Sequence, residues 1–209
     1  MKIEYYGHAC FKLISRSGKS IVIDPFEKIG YEMPRIFADI LLTTHTHFDH
    51  CFLDAVSYSH HLERAGKTNL LEMEIEGIKS YHDEKKGALR GENIIFLVKM
   101  DNLTLCHMGD FGEYEDDTIK KLPPVDILFL PVGGKYTIDG KRGIDCAKKI
   151  GAKLTIPMHY KTEDCALDIA TIDGFLEGFK QEDILREKGS YVWNEPKEKI
   201  LVLERKKEG

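Results

Sequence analysis

The chain has 209 residues, a formal net charge of −5, and a composition that is 42% hydrophobic and 31% charged, which is typical of a globular domain. It has no apolar run near the ~20 residues of a membrane span, and its acidic balance argues against a nucleic-acid-binding surface. Its five scattered cysteines form no C-x-x-C pair and its first residues alternate like a strand, so we expect one cytoplasmic domain over residues 1–209 with reduced thiols.

The first part of the chain is predicted to consist mainly of strands. Residues 2–24 are expected to form three strands joined by tight turns, followed by a loop over 25–38. An apolar, β-branched run over 38–44 predicts a buried strand. Residues 52–64 have apolar side chains at helical spacing and stop shortly before a glycine, so we predict a helix there.

The rest of the chain alternates between predicted strands and helices. The strands are expected over 69–82, 93–100, 102–107, 125–132, 153–158 and 199–205. The helices are expected over 115–121, 140–150 and 168–181. Two strand-rich blocks that each carry helices indicate an α/β (α+β) fold, a four-layer αββα sandwich with two sheets inside and helices outside.

A dense group of metal-ligating residues follows the predicted strand that ends at Thr44. His45 and His47 are two positions apart, so in an extended segment both point to the same side and can bind one ion. Asp49 and His50 follow and can face a second position beside the first. Imidazole and carboxylate ligands suit zinc, or less strongly manganese and iron. A polar loop with chance histidines is the alternative, but histidine rarely clusters in this way.

The pattern H-x-H-x-D-H after an apolar strand resembles the metallo-β-lactamase superfamily, whose fold is the αββα sandwich. The resemblance implies that three later loops, each at the end of a strand, supply further ligands, which match His82, Asp110 and His159. It implies one ion on His45, His47 and His82, a second ion on Asp49, His50 and His159, and Asp110 between them.

Four further stretches are similar to a branch of short metal-dependent hydrolases within this superfamily. They are residues 6–11, 90–93, 131–137 and 156–160. This branch is allied to lactonases and phosphodiesterases, so the resemblance implies hydrolysis of an ester, lactone or phosphoester bond in a small molecule. The substrate itself is not carried over.

The expected chemistry follows from two ions held side by side. Two divalent ions ~3.5–4 Å apart, most simply zinc, can share a bridging water and lower its pKa towards ~7, which yields a hydroxide nucleophile. Asp49 is expected to be a ligand of the second ion and also the acceptor that orients the hydroxide. The chain has no G-x-S-x-G motif that would indicate a serine nucleophile instead.

Four more residues are candidates for contact with the substrate. Lys135 and Tyr136 follow a pair of glycines, so they can bind a substrate anion or donate a proton, or they can form a solvated turn. Tyr160 has the same two interpretations. His8 lies at the end of the first predicted strand, where it can line the site, hydrogen-bond a ligand or belong to the core.

Four other residues of metal-ligating type are expected to have no ligand role. His107 is predicted to pack or to support Asp110, and Cys51 to be a small buried residue. His60 and His61 are predicted to lie on the surface of the helix over 52–64.

Functions of other classes remain as alternatives. A diiron oxygen-reducing centre of this fold typically has Glu where this chain has His47. A nuclease would require a basic clamp, and a glyoxalase-type thioester hydrolase a helical carboxyl-terminal extension; neither is evident in the sequence. A non-catalytic metal-binding protein would usually lack one or more ligands, whereas here the set is complete. We therefore expect a small-molecule substrate, with neither a membrane nor a nucleic acid as partner.

Overall fold

The computed structural model describes residues 1–207, and these residues form two β-sheets that pack face to face. The six-stranded sheet contains, in spatial order, β13 (Ser190–Val192), β1 (Lys2–Gly7), β2 (Cys10–Ile14), β3 (Ser20–Ile23), β4 (Ile36–Leu42) and β5 (Val56–Leu62). The eight-stranded sheet contains β12 (Ile184–Lys188), β14 (Ile200–Glu204), β11 (Leu154–Met158), β10 (Ile127–Pro131), β9 (Leu103–His107), β8 (Glu92–Met100), β7 (Met73–Tyr81) and β6 (Gly66–Leu70). Two helices, α1 (Gly140–Ile150) and α2 (Asp173–Leu176), complete the regular structure of these residues, apart from three short 3₁₀ turns.

The main hydrophobic core lies between the two sheets, and a second core lies under the helices. Strand β10 is buried on both faces, and its side chains alternate between the two cores. Ile127 and Phe129 face the six-stranded sheet, whereas Leu128 and Leu130 pack in the same cluster as Phe175 of α2. Burial of alternate residues on both faces fixes the register of this strand, because a shift by one position would turn each side chain from one core to the other.

Loops cover the outer face of the six-stranded sheet. The segment between β3 and β4 places Phe26, Ile29 and Tyr31 on this face, where they pack with Cys165 and Ile169 from the segment after β11. The fold is therefore the predicted α/β sandwich of two sheets, with helices on one outer face and packed loops on the other.

The predicted helix over 52–64 is wrong. Apart from a 3₁₀ turn at Leu53–Ala55, this segment forms the edge strand β5, which pairs in parallel with β4. Ser57, Tyr58 and the two histidines His60 and His61 have weak helix propensity, and pairing with β4 satisfies the backbone in the extended form. The two histidines thus lie on a strand, and the connection from β4 to β5 is the candidate metal-binding loop itself.

Two other predicted helices are much shorter than expected, while the third is confirmed. Only Ile119–Lys121 of 115–121 forms a 3₁₀ turn, and only Asp173–Leu176 of 168–181 is helical. Helix α1 matches the prediction because the Asp139 side chain accepts a hydrogen bond from the Arg142 backbone N–H, and Gly151 ends the helix in a left-handed conformation.

The predicted strands are confirmed, with two additions and one division. The predicted strand over 69–82 is divided by a turn at Leu71 and Glu72 into parts of β6 and β7. Strands β12 and β13 were not predicted. Within residues 1–207, no helix is both long enough and apolar enough to cross a bilayer.

Seven of the strands that run in the same direction have their carboxyl ends at the edge of the sandwich where the loops of the candidate site lie. Strands β3 and β4 are parallel, as are β9, β10 and β11, and antiparallel neighbours place β1 and β7 in the same direction as these. The loops that follow these strands therefore meet at the same place, as is usual for functional sites built on a rigid scaffold.

Candidate metal centre

The loop after β4 presents its histidines to a buried cluster. The imidazole centroids of His45 and His47 are 4.6 Å apart, in agreement with their predicted position on one side of the segment. The backbone N–H of His50 donates to the carbonyl of His47, and this turn brings Asp49 and His50 beside the first two rings. His47 remains exposed, so the cluster is open to solvent on that side.

The structure brings all seven candidate ligands together. Their donor atoms fall into groups in which every pair lies within 4.8 Å, namely His45, His47 and His82; His45, His50 and Asp110; and His8, Asp49, His50 and His159. The first group matches the expected ligand set of one ion. The last group contains the expected set of the second ion together with His8.

The Asp110 carboxylate lies at the centre of the cluster. Its Oδ2 is 2.9 Å from Nε2 of His82 and 3.3 Å from Nε2 of His159. Its Oδ1 is 3.0 Å from Nε2 of His50, and Oδ2 is 3.8 Å from Nε2 of His45. A carboxylate with imidazoles from both groups around its two oxygens has the position expected of a ligand between two ions.

The cluster contains buried polar atoms without hydrogen-bond partners. Within the described residues these are His8 Nδ1, His45 Nε2, His50 Nε2, His82 Nδ1 and Nε2, Asp110 Oδ1, and His159 Nδ1 and Nε2. Buried polar groups in folded proteins are nearly always paired, so unpaired nitrogens that converge on one carboxylate need a partner of another kind. A divalent cation is such a partner, and the residues therefore fit a metal centre.

Asp24 supports the cluster from beneath and was not identified from the sequence. Its Oδ2 accepts a hydrogen bond from Nδ1 of His50 at 2.9 Å and from the hydroxyl of Thr44 at 2.8 Å. Its Oδ1 accepts from the Thr44 backbone N–H at 2.8 Å. The bond to Nδ1 directs Nε2 of His50 towards the cluster, which is the usual role of a carboxylate behind a metal-ligating histidine.

His8 contacts the other acidic residue of the loop. Its Nε2 lies 3.2 Å from Oδ2 of Asp49, and its ring centroid lies 4.0 Å from that of His159. The His8 carbonyl also accepts the backbone N–H of His159 at 2.9 Å. Both histidines have positive φ, 55° for His8 and 53° for His159, which is uncommon outside glycine and asparagine. His8 is therefore part of the cluster and not of the apolar core.

Asn93 fixes the turn that carries Asp110, a role that was not identified from the sequence. Its Oδ1 accepts the Asp110 backbone N–H at 2.9 Å, and its Nδ2 donates to the Met108 carbonyl and to Ser80 Oγ. Gly109, which lies between Met108 and Asp110, has a φ of 56°, and a Cβ at that position would lie 2.3 Å from Asn93 Oδ1. A side chain at Gly109 would therefore displace the group that orients Asp110.

Burial and neighbouring charges favour neutral His8 and His45 imidazoles and an ionised Asp110. Burial lowers the pKa of His8 to about 3 and that of His45 to about 2. Burial alone would raise the pKa of Asp110, but His159 and His50 hold it well below its usual range. For His50 burial acts to lower the pKa, yet Asp110 and Asp24 raise it overall. The carboxylates thus favour a cation at the centre, as metal binding requires.

A pocket of about 630 Å³ opens beside the cluster. Its inner wall includes His47, Asp49, His82 and Asp110, and Tyr136 is the one sequence-predicted substrate contact among its lining residues. Its outer wall also contains Phe48, Leu89, Arg90 and Leu167.

Two of the predicted substrate contacts lie elsewhere. Lys135 is ion-paired with the exposed Asp168 and does not line the pocket. Tyr160 is buried in the core beneath the helices. The position of Tyr160 directly after His159 did not predict where its side chain points, because successive residues after a strand turn to different sides.

His107 has the supporting role that the sequence predicted. Its Nε2 donates to the Ala9 carbonyl at 2.9 Å, and its Nδ1 accepts the Gly109 backbone N–H at 3.2 Å. It therefore links the turn between β1 and β2 to the turn that carries Asp110. Cys51 is half-buried, and burial raises the pKa of its thiol.

Asp24 and Asn93 could have been suspected from the sequence by signals that are weaker than the histidine motif. Asp24 is an acidic residue directly after a buried strand, as Asp110 nearly is, and Asn93 is a polar residue at the start of an apolar strand. Neither signal identifies the residue that is supported. His50 lies 26 positions after Asp24, and Asp110 lies 17 positions after Asn93.

Comparison with known proteins shows the same family along most of the chain. The family described as the beta-lactamase superfamily domain matches residues 2–159, a range that contains all seven candidate ligands. A relative from Methanospirillum hungatei named UPF0173 metal-dependent hydrolase is 33% identical over 192 residues, and the match covers 78% of this chain and 84% of that protein. A relative from Thermoplasma acidophilum with the same family name is 30% identical over 194 residues, covering 78% and 85%.

A solved structure has the same fold over nearly the whole chain. It is that of a protein from Thermotoga maritima described as a Zn-dependent hydrolase of the metallo-β-lactamase superfamily. The two proteins superpose with a TM-score of 0.81 at 32% identity, and the match covers 97% of each chain.

Proposed function

The chain belongs to the beta-lactamase superfamily and is one of its metal-dependent hydrolases, and from this premise we propose that it uses two divalent ions, zinc in the first place, to hydrolyse an ester, lactone or phosphoester bond of a small molecule. The observation that carries this proposal is the convergence of unpaired imidazole nitrogens from two groups on the single carboxylate of Asp110. A single ion would need only one of these two groups of ligands.

The residues have separate roles in this proposal. His45, His47 and His82 would hold the first ion, and Asp49, His50 and His159 the second, with Asp110 between them. The mixture of nitrogen and oxygen ligands suits zinc, while manganese and iron remain compatible with it. When bound, the ions would supply Lewis-acid activation of water and of the substrate oxygen.

Asp49 is the proposed catalytic residue. It lines the pocket, and its Oδ2 is held by His8, so the carboxylate has a fixed direction beside the cluster. In hydrolysis of an ester, the water oxygen bonds to the carbonyl carbon, the bond to the alkoxy oxygen breaks, and the water proton passes to the departing alcohol. We propose that Asp49 orients the attacking water and accepts its proton on the way.

His8 is a positioning residue in the same proposal. Its Nε2 donates to Asp49, and its carbonyl fixes the backbone of His159, so it contacts two of the proposed ligands of the second ion.

We propose cytoplasmic hydrolysis of a small molecule, and the five cysteines, which are unpaired in the described chain, support a reducing compartment.

The experiment combines metal analysis with a substrate panel. Protein purified without chelator is expected to hold about two divalent ions per chain and to hydrolyse members of a panel of phosphodiesters, lactones, carboxylic esters and thioesters. Asp49→Asn is expected to lower kcat by at least about 100-fold while the protein remains folded. Asp54→Asn, an exposed acid in the same loop, is the matched control and is expected to retain activity.

Three results would contradict the proposal. One ion per chain at saturating zinc would remove the dinuclear centre. Full activity of Asp49→Asn would remove the role of that carboxylate. Cleavage of RNA in preference to every small molecule of the panel would favour a nuclease.

A further inference from the structure

The outer wall of the pocket has a composition that suggests which substrates fit. Phe48 is 50% exposed and Leu89 is 62% exposed, and both line the pocket together with Tyr136 and Leu167. Large apolar side chains exposed on one concave surface commonly mark the place where a ligand covers them. The part of the substrate that lies against this wall is therefore expected to be apolar.

Arg90 places one positive charge on this apolar wall. It is the only lysine or arginine among the described residues that line the pocket, and its guanidinium carbon lies 5.8 Å from the centroid of Tyr136. Within residues 1–207, no carboxylate lies within 4.0 Å of its guanidinium nitrogens. Lys135 differs in this respect, because Asp168 already neutralises it. The Arg90 guanidinium is therefore available to bind an anionic group of the ligand.

The loop that carries Arg90 is held in place from inside. The buried carboxylate of Asp83 accepts the backbone N–H groups of Lys85, Gly87, Leu89 and Arg90, at 2.7 to 3.0 Å. The same loop is closed by a hydrogen bond from the Gly91 N–H to the Gly87 carbonyl. Because four bonds converge on one side chain, Leu89 and Arg90 are presented to the pocket by a preorganised backbone.

We propose that the substrate of this enzyme carries an anionic group, a carboxylate or a phosphate monoester, at the end of an apolar segment that projects from the scissile bond, and that Arg90 binds this anion. The inference rests on the proposed hydrolase function. The inner wall would act on the scissile bond, Phe48, Leu89 and Leu167 would cover the apolar segment, and Arg90 would select the charged end. A guanidinium forms paired hydrogen bonds with either kind of anion.

The test uses ester pairs that differ only in the charge at the far end. The p-nitrophenyl esters of valerate and of glutarate have a terminal methyl or a terminal carboxylate, and a third ester carries a terminal phosphate. The same neutral and anionic ends are placed on p-nitrophenyl alkyl phosphodiesters. The metal-loaded wild type is expected to hydrolyse at least one anionic member with a kcat/KM about tenfold or more above its neutral partner.

Arg90→Gln separates charge recognition from catalysis. It is expected to raise KM for the anionic members by about 10- to 100-fold and to leave kcat, KM for the neutral members and metal content unchanged. Arg90→Lys is expected to restore part of the preference. Arg64→Gln, an exposed arginine outside this loop that also has no carboxylate partner in the described chain, is the matched control and is expected to behave like the wild type.

Binding of uncleavable analogues makes the inference independent of turnover. The p-nitroanilide of glutaric acid is compared with that of valeric acid by calorimetry, and Arg90→Gln is expected to weaken binding of the acid alone by at least about tenfold. If no ester or phosphodiester is hydrolysed but this difference in binding is found, the proposed hydrolysis fails and the anion site stands. Equal effects of Arg90→Gln on neutral and anionic compounds, or tighter binding of the neutral analogue, would overturn the anion site.

Discussion

Oδ2 of Asp24 lies 2.9 Å from Nδ1 of His50, and both side chains are fully buried. The pair joins the end of β3 to the loop after β4 and leaves Nε2 of His50 directed at Asp110. Asp24 itself has φ of 51°, so the backbone adopts an uncommon conformation at the position that supports the candidate ligand. Asp24 thus supports the centre without being a proposed ligand.

Replacement of Asp24 by Asn is expected to weaken zinc binding by about 10- to 100-fold, because an amide has one acceptor oxygen in place of two and its NH2 group must then face one of the donors, either the Thr44 N–H or the His50 and Thr44 side chains. Competition with a chromophoric chelator measures the change. Asp39→Asn is the matched control, since Asp39 similarly accepts from the N–H and hydroxyl of Ser20 on β3 but has no contact with the cluster. Equal zinc affinities of the two variants would contradict the role of Asp24.

Replacement of His8 by Phe is expected to lower kcat by about tenfold or more with little change in KM, because the Asp49 carboxylate loses the donor that fixes its direction. The variant is also expected to bind the proposed second ion more weakly, which stepwise metal titration can detect. His8→Gln keeps a donor and is expected to recover part of both properties. The exposed His60→Gln is the control, and a kcat of His8→Phe equal to that of this control would remove the positioning role.

Removal of metal is expected to lower the melting temperature by ~10 °C. The buried imidazoles and Asp110 lose the cation that satisfies them, and a ligand present at 1,000 times its Kd stabilises the folded state by ~4 kcal/mol. Thermal unfolding followed by circular dichroism, with chelator and then with added zinc, measures the effect. Identical melting curves with and without zinc would mean that the cluster does not bind the ion in the folded state.

Replacement of Asn93 by Ala is expected to reduce the free energy of unfolding by about 3 kcal/mol. The buried Asp110 N–H and Met108 carbonyl would lose their partners, and each unpaired group costs about 1–3 kcal/mol. Urea denaturation of the metal-free protein is the measurement. Asn69→Ala, on the exposed edge strand β6, is the control. A difference below ~0.5 kcal/mol between the two variants would show that Asn93 is not needed to hold the turn.

Glu4 is expected to make the stability depend on pH between about 4.5 and 2. Burial acts to raise its pKa, but hydrogen bonds from Lys2 and Tyr6 and the charge of Lys206 lower it from 4.5 to about 2. A lowered folded-state pKa stabilises the protein above pH 4.5, and this contribution is lost as the pH falls towards 2. It amounts to about 2–3 kcal/mol once solvent screening at the lysines is included.

The variant Glu4→Gln tests this dependence. The difference in unfolding free energy between wild type and variant, measured without metal, is expected to be large at pH 6 and to shrink as the pH approaches 2. The exposed Glu63→Gln is the control. A difference that stays constant across this range would mean that Glu4 contributes through packing and not through its charge.

Much of the fold followed from local patterns in the chain. Alternating apolar residues at the start of β1 and the continuous apolar runs of β10 and β11 predicted those strands, because burial on one or both faces of a sheet imposes these patterns directly. The segment over 52–64 is the instructive failure. Its local spacing also fits a helix, and pairing with β4 decided the outcome.

The candidate ligands could be identified from the sequence, but the residues that support them could not. His45 and His47 are two positions apart, so their spacing alone predicts that both point to the same side. Asp49 and His50 follow directly, and the resemblance to the metallo-β-lactamase superfamily identified His82, Asp110 and His159. Asp24 and Asn93 act on residues that are distant in sequence, and the same holds for His8 and Asp49, which are 41 positions apart.

The sequence by itself determined the residue types of the centre and the strand ends that carry them, because both are local properties of the chain. Tertiary structure alone decided that Tyr136 and Arg90 face the pocket while Tyr160 enters the core and Lys135 pairs with Asp168. The direction of a side chain after a strand depends on which distant loops pack against it, and no spacing within one segment contains that information.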